Sequence, residues 1–209
     1  MNREVTSIPM GPVRSSNRVE AIPCGEVGVP AEILLKAERE IIDLMMSGAG
    51  LKETLTAIAL MVERLTPPAL CTILLLDPDG KHLRNGAAPS IPEEYSKAID
   101  GVEIGPSVGS CGTAAYRKEP VIARDIAIDP LWEGPREFTL SFGLRACWSM
   151  PVMNEAGIVL GTIAMYYSEP REPTERDFGL LAPGARLVRL ALVKLSIRFQ
   201  SRPPFRVQS

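Results

Sequence analysis

The apolar positions fall into stretches of two different periods. Ile33, Ala37, Ile41 and Leu44 recur at helical spacing and predict an amphipathic helix over residues 31–46. Ser47-Gly48-Ala49-Gly50 breaks it, and Leu51, Leu55, Ile58, Val62 and Leu65 trace a second helix. That helix ends at Pro67-Pro68, because an interior proline lacks an N–H and clashes with the preceding turn. Leu70 to Leu76 is apolar on both faces, which suits a central strand. Asp77-Pro78-Asp79-Gly80 is a turn signal, so a hairpin partner is expected at 81–88. A short helix fits 92–99, and Val121–Arg124 reads as a short strand. The intervening 101–120 is loop-rich and holds Gly105, Gly109 and Gly112, and 125–145 is irregular. Ala146–Met153 and Ile158–Ser168 are strongly apolar and joined by Glu155-Ala156-Gly157, a second central hairpin.

The last element is helical. Thr174 with Asp177 three residues on has the form of a capping box. Phe178, Leu181, Ala185, Val188, Leu192, Leu195 and Phe199 then alternate steps of three and four, the seam of a helix–helix contact. Pro183 interrupts the run at a cost of roughly 3 kcal/mol, which predicts a kink or a new helix starting there. Helices at both ends with antiparallel strands between them predict an α+β sandwich with helices on one sheet face. Residues 1–29 are rich in Pro, Gly, Ser and Val without a period and are expected to form a flexible tail. Residues 30–200 are the expected domain and 201–209 a C-terminal tail.

Composition narrows the function. The net charge of −2 gives no reason to expect nucleic acid or a membrane surface as a partner. From Arg171 onward there are eight Lys/Arg against three Asp/Glu, read as a solvated helix face. Cys24, Cys71, Cys111 and Cys147 are far apart and His82 is the only histidine, so no structural zinc site is expected. Unpaired cysteines and the lack of a basic-then-apolar leader point to the cytoplasm. No apolar run approaches the roughly 20 residues of a membrane span.

Four blocks carry a family likeness. They are Gly105-Pro106-Ser107-Val108-Gly109-Ser110-Cys111-Gly112-Thr113-Ala114-Ala115-Tyr116-Arg117, Asp125-Ile126-Ala127 with Asp129-Pro130-Leu131-Trp132, Gly143–Pro151, and Leu160–Tyr167. In this order they resemble the GAF domains of bacterial signalling proteins, the type found beside histidine kinases, diguanylate cyclases and cyclic-di-GMP phosphodiesterases. The resemblance implies a GAF-like six-stranded antiparallel sheet. Terminal helices would cover one face and build a homodimer, and a loop-roofed ligand pocket would lie on the other. It also implies a role in signal transduction, in two-component or cyclic-di-GMP pathways. No output domain follows in this sequence, so the expectation is either a free-standing sensor or a signalling enzyme on another chain as its partner.

The candidate ligand-binding residues are Ser110, Cys111, Gly112, Trp132, Arg145 and Trp148. Glycines at a helix start expose N–H donors to an anion, or they let backbone pack closely over the sheet. Gly109–Gly112 lacks the GK[ST] of a phosphate loop and the spacing of a dinucleotide fingerprint. Cys111 stands at that helix start, where the dipole favours a thiolate, or it is a small buried hydrophobe. Cys147, in an apolar strand, is expected to stay protonated and inert, and Cys71 to be core. Trp132, Phe138, Phe142, Trp148 and Tyr166 wall a pocket for a planar or anionic molecule, with Arg136 and Arg145 near, or they form a second small core. Arg145 serves a ligand, or pairs with Asp125 or Asp129. His82 on a predicted edge hairpin does not suit a haem, and no cysteine sits where a bilin would attach. The cofactor is unknown, and three functions stand. A regulatory sensing module that is not an enzyme leads. A thiol enzyme like the GAF-type free methionine-(R)-sulfoxide reductases is weakened by the position of Cys147 inside a strand. A ligand-free dimerisation scaffold is the third.

Overall fold

A strand apolar on both faces needs cover on both sides, and β1 (Leu70–Leu76) has it. The computed structural model describes residues 29–200, so apart from Val29 the two expected tails lie outside the described residues. The remaining strands are β2 (His82–Ala87), β3 (Val102–Glu103), β4 (Val121–Ala123), β5 (Ala146–Met153) and β6 (Val159–Tyr167). They form one antiparallel sheet in the order β3-β2-β1-β6-β5-β4, the expected six-stranded α+β architecture. β3 and β4 are the edges, so His82 lies on the second strand and not on an edge strand; its Nδ1 stands 2.5 Å from Asp79 Oδ2.

Strand alternation sorts the side chains into two layers. Cys71, Ile73, Ala146, Trp148, Val152, Ile163, Met165 and Tyr167 face α1 (Ala31–Met46), α2 (Leu51–Leu65) and α6 (Glu175–Gln200). These helices contribute Ile41, Ile58, Val62, Leu180 and Val188 to that core. Leu74, Cys147, Ala164 and Tyr166 face the other way, towards a roof. The roof consists of α3 (Glu93–Ala98), α4 (Gly109–Arg117), a 3-10 turn at Pro130–Trp132 and α5 (Arg136–Ser141). Neither α4 nor α5 follows from periodicity, since each is short and α4 contains two glycines.

α6 runs as one helix through Pro183; no second helix starts there. Leu180, Leu181, Leu187 and Val188 are all buried around the proline. At about 1.5–3 kcal/mol for each such side chain, their burial outweighs the roughly 3 kcal/mol cost of the proline. At the start of α6, Asp177 Oδ2 accepts the Thr174 N–H and hydroxyl, each at 2.7 Å, which makes one half of a capping box. Asp177 is only 2% exposed and also pairs with Arg171 at 3.1 Å. The Arg171 guanidinium lies over the Tyr167 and Trp148 rings, 4.6 and 5.5 Å from their centroids. This cluster fastens the helix layer to β5 and β6.

Candidate ligand site between sheet and roof

α4 opens with the glycine turn. Gly109 has φ +54, and a Cβ there would sit 3.4 Å from the Trp132 ring. A Cβ on Gly112 would come within 2.9 Å of Val108 Cβ. Both positions therefore require glycine for close packing, the plainer of the two sequence readings. Ser110 Oγ donates to the Cys147 carbonyl at 3.0 Å and accepts from Trp132 Nε1 at 3.3 Å, so it latches α4 and the 3-10 turn to β5. Ser110, Cys111, Gly112 and Trp132 thus come together under the roof, all buried.

Trp148 does not join them. In β5, Cys147 faces the roof, so Trp148 faces the helices, and its ring packs 4.6 Å from Tyr167. Its inclusion with Trp132 in one pocket is corrected by the pleat: neighbours in a strand point to opposite faces. Arg145 stands at the rim, where one Nη reaches both Asp125 oxygens at 3.1 and 3.2 Å, the ion-pair arrangement with Asp125. Asp129 instead accepts the Leu131 N–H and caps the 3-10 turn. Arg136 ties α5 to the carbonyls of Ile126 and Asp129.

The aromatic layer includes a residue the sequence did not single out. Tyr95 of α3 packs edge-on against Tyr166 and Phe142, at 5.9 and 5.5 Å, and stacks on Phe138 at 5.9 Å. Trp132 meets Tyr166 edge-on at 6.3 Å. Tyr95, Trp132, Phe142 and Tyr166 form a small core of their own over the sheet. Burial pushes the Tyr95 and Tyr166 phenols up, so both remain neutral.

The floor beside this core is polar. Thr72 pairs across with Ala164 and Ala164 with Ser149, so one row spans β1, β6 and β5. Thr162 lies two residues from Ala164 on the same face of β6. The hydroxyls of Thr72, Ser149 and Thr162 are buried and find no hydrogen-bond partner among the described residues under ordinary geometry. The Cys111 thiol faces Cys147, Ser149, Thr162 and Tyr166. Donation from Cys147 holds Cys111 below the usual thiol range; burial opposes this, and the hydroxyls of Ser149, Thr162 and Tyr166 add to the lowering. Burial pushes Cys147 up, as it does Cys71 behind the sheet. The signal for this floor was present in the sequence as small hydroxyl residues inside apolar strands. Without the register they read as ordinary strand formers.

Among the described residues no group of three or more His, Cys, Asp and Glu stands together to hold a metal ion. None of the described helices is long and apolar enough to cross a membrane.

The family model of the GAF domain matches residues 48–193. The chain belongs to the GAF domain family. It is 37% identical over 162 residues to the methyl sulfide methyltransferase-associated sensor of Methanosarcina acetivorans. That match covers 78% of this chain and 16% of the sensor, so the chain spans a small part of that relative's length. The GAF domain of a phosphoenolpyruvate-protein phosphotransferase from Coxiella burnetii superposes with a TM-score of 0.64 at 15% identity, covering 82% of this chain and 99% of that one. Free methionine-R-sulfoxide reductase from Neisseria meningitidis, solved with its substrate, gives 0.61 at 16% identity, covering 80% and 90%. At these identities the two structures share the fold of this GAF domain.

Proposed function

We propose that this GAF domain is a regulatory sensing module, not an enzyme, which binds a compact hydrogen-bonding molecule between the sheet and the roof. The observation that carries the reading is the polar floor: among the described residues the buried Thr72 hydroxyl finds no partner, and those of Ser149 and Thr162 have only the Cys111 thiol to turn to. A buried hydroxyl without a partner costs about 1–3 kcal/mol. A ligand that supplies acceptors or donors there recovers that cost in the bound state alone. The aromatic core fills the neighbouring space, so entry shifts the roof, and differential affinity for the two roof positions is the signal. The sensor from Methanosarcina acetivorans, 37% identical over the matched region, supports a sensory role.

A thermal-shift screen of small metabolites on the reduced chain tests this. A true ligand at a hundredfold excess over its Kd adds about 2.7 kcal/mol of stability. The shift is expected to vanish in Ser149→Ala and Thr162→Val, and an anionic ligand is expected to bind more weakly to Arg145→Ala. A ligand that stabilises all three variants as well as the wild type would place the site elsewhere.

The output proposed here is a homodimer through the terminal helices, acting on a signalling enzyme in the same assembly. Leu192 packs inward, and the side chains of Phe178, Leu195 and Phe199 lie outside the described residues. Among the exposed apolar residues of the terminal helices, Ile42 on α1 with Leu190 and Val193 on α6 border an open groove of about 710 Å³. Exposed apolar residues gathered along two neighbouring helices suit a second copy. Light scattering is expected to give a dimer for the wild type and a monomer for Leu190→Asp/Val193→Asp. A wild-type monomer at micromolar concentration removes the dimer from the proposal.

A further inference from the structure

We infer that Cys111 and Cys147 are an oxidant-responsive dithiol, which closes to a disulfide between α4 and β5 and locks the roof to the sheet. This rests on the sensing reading of the same site and gives it a regulation. The geometry is set by the Ser110 latch. Its 3.0 Å bond to the Cys147 carbonyl holds the start of α4 against β5, and the next residue, Cys111, is buried in the same cluster as Cys147 on the roof face of the sheet. Cys111 is 7% exposed and Cys147 is fully buried. Cys71 faces the helices on the far side of the sheet and cannot compete.

Around Cys111 the floor is arranged for a thiolate. Among the described residues the Ser149 and Thr162 hydroxyls have no other partner, and a neutral thiol is a poor acceptor for them. A thiolate accepts from both, and from the Tyr166 hydroxyl and the Cys147 S–H as well. The direction of titration of the pair agrees: Cys111 is held down while burial pushes Cys147 up, so one sulfur is the nucleophile and the other keeps its proton. Cys111 also occupies the first turn of α4, where the helix dipole adds in the same sense.

The oxidant class is a hydroperoxide, small enough for a nearly closed site. The Cys111 thiolate attacks one peroxide oxygen, the O–O bond breaks, and for hydrogen peroxide the leaving hydroxide becomes water on protonation. Cys111 is then a sulfenic acid. The Cys147 sulfur attacks the Cys111 sulfur, the S–O bond breaks, and the departing hydroxide takes the Cys147 proton to give a second water. Two thiols lose two electrons and one peroxide gains them; an external dithiol reverses the step. Closure removes the thiolate acceptor, so the floor hydroxyls face a neutral disulfide and the ligand preference of the site changes.

The test treats the full chain, reduced and freed of reductant, with hydrogen peroxide under native conditions. Alkylation, non-reducing digestion and mass mapping follow. The expected product is a Cys111–Cys147 linked peptide, lighter by two hydrogens, recovered as free thiols with dithiothreitol and unchanged in Cys24→Ser. In Cys147→Ser the expected product is a dimedone adduct on Cys111. Wild-type protein in which both cysteines stay alkylatable, or in which Cys111 passes to sulfinic acid without a link, overturns the proposal. So does a link to another cysteine. The wild-type mapping does not depend on how any variant folds. Ligand stabilisation of the reduced chain is read separately, so a ligand without a disulfide sinks the dithiol alone, and a disulfide without any ligand sinks the ligand reading alone.

Discussion

Gly161→Ala is expected to lower the stability of the domain by about 3 kcal/mol, near the upper end of what overpacking costs. Gly161 lies in β6 between Leu75 of β1 and Val152 of β5, in the middle of the sheet. A Cβ at this position would run into the Leu74 carbonyl oxygen and lie 3.1 Å from Leu75 Cα. Both obstacles are backbone, so no side-chain rotation relieves them. Relief requires β1 to move away from β6, along a ladder that runs from Leu70 to Leu75. Glycine within a strand often marks such an approach of another backbone. A loss of this size is a large part of the 5–15 kcal/mol typical of a whole domain. Urea denaturation measures it, with Gly134→Ala as the comparison. A Cβ on Gly134 meets nothing within 4 Å, so that variant is expected to remain within about 0.5 kcal/mol of wild type. Equal midpoints for the two variants would mean that β1 yields freely at Leu74.

Asp177→Ala is expected to cost about 3 kcal/mol, by a different route. The carboxylate is 2% exposed and holds four partners: Arg171, the Thr174 N–H, the Thr174 hydroxyl and, at 3.4 Å, the Tyr167 hydroxyl. Its removal uncaps α6 and leaves the Arg171 cation against Trp148 and Tyr167 without its anion. Arg171 is about one third exposed, so solvent recovers part of the loss, and the figure lies at the low end for a broken buried pair. Asp177→Asn keeps an acceptor for the Thr174 N–H and is expected to lose about half as much. Hydrogen exchange in the first turn of α6 should rise with the same ordering. Unchanged exchange in Asp177→Ala would show that packing alone holds the helix start.

The periodic parts of this fold were legible. α1 and α2 begin and end where their apolar spacing does, and β1 and β5 span Leu70–Leu76 and Ala146–Met153 as expected. The roof was legible only as a place. α4 has two glycines and a nearly featureless face, and its helix forms because tertiary contacts with β5 and Trp132 hold it. The error at Trp148 has a related cause. Where both faces of a strand are buried, apolar residues do not reveal which face each one takes, and only the pairing of Trp148 with Met165 decides it. The meeting of Cys111 with Cys147 is likewise beyond local pattern. It depends on a helix crossing a strand: Cys147 is buried and pushed up, as its place in an apolar strand implies, whereas Cys111, left open between a thiolate and a small buried group, is buried and yet held below the usual thiol range. For Arg145 the sequence left a ligand, Asp125 and Asp129 open, since a charge near a buried layer needs a partner but local pattern does not choose it; the fold brings Asp125 to 3.1 Å.

The chain has two tryptophans, and the sheet divides them: Trp132 under the roof, Trp148 beneath the helices. Indole emission responds to its immediate surroundings, so the molecule carries one optical probe in each layer. With Trp148 changed to phenylalanine the remaining light comes from the roof layer, and with Trp132 changed it comes from the helix layer. The order in which the two signals move when denaturant is mixed in would therefore show which face of the sheet loosens first.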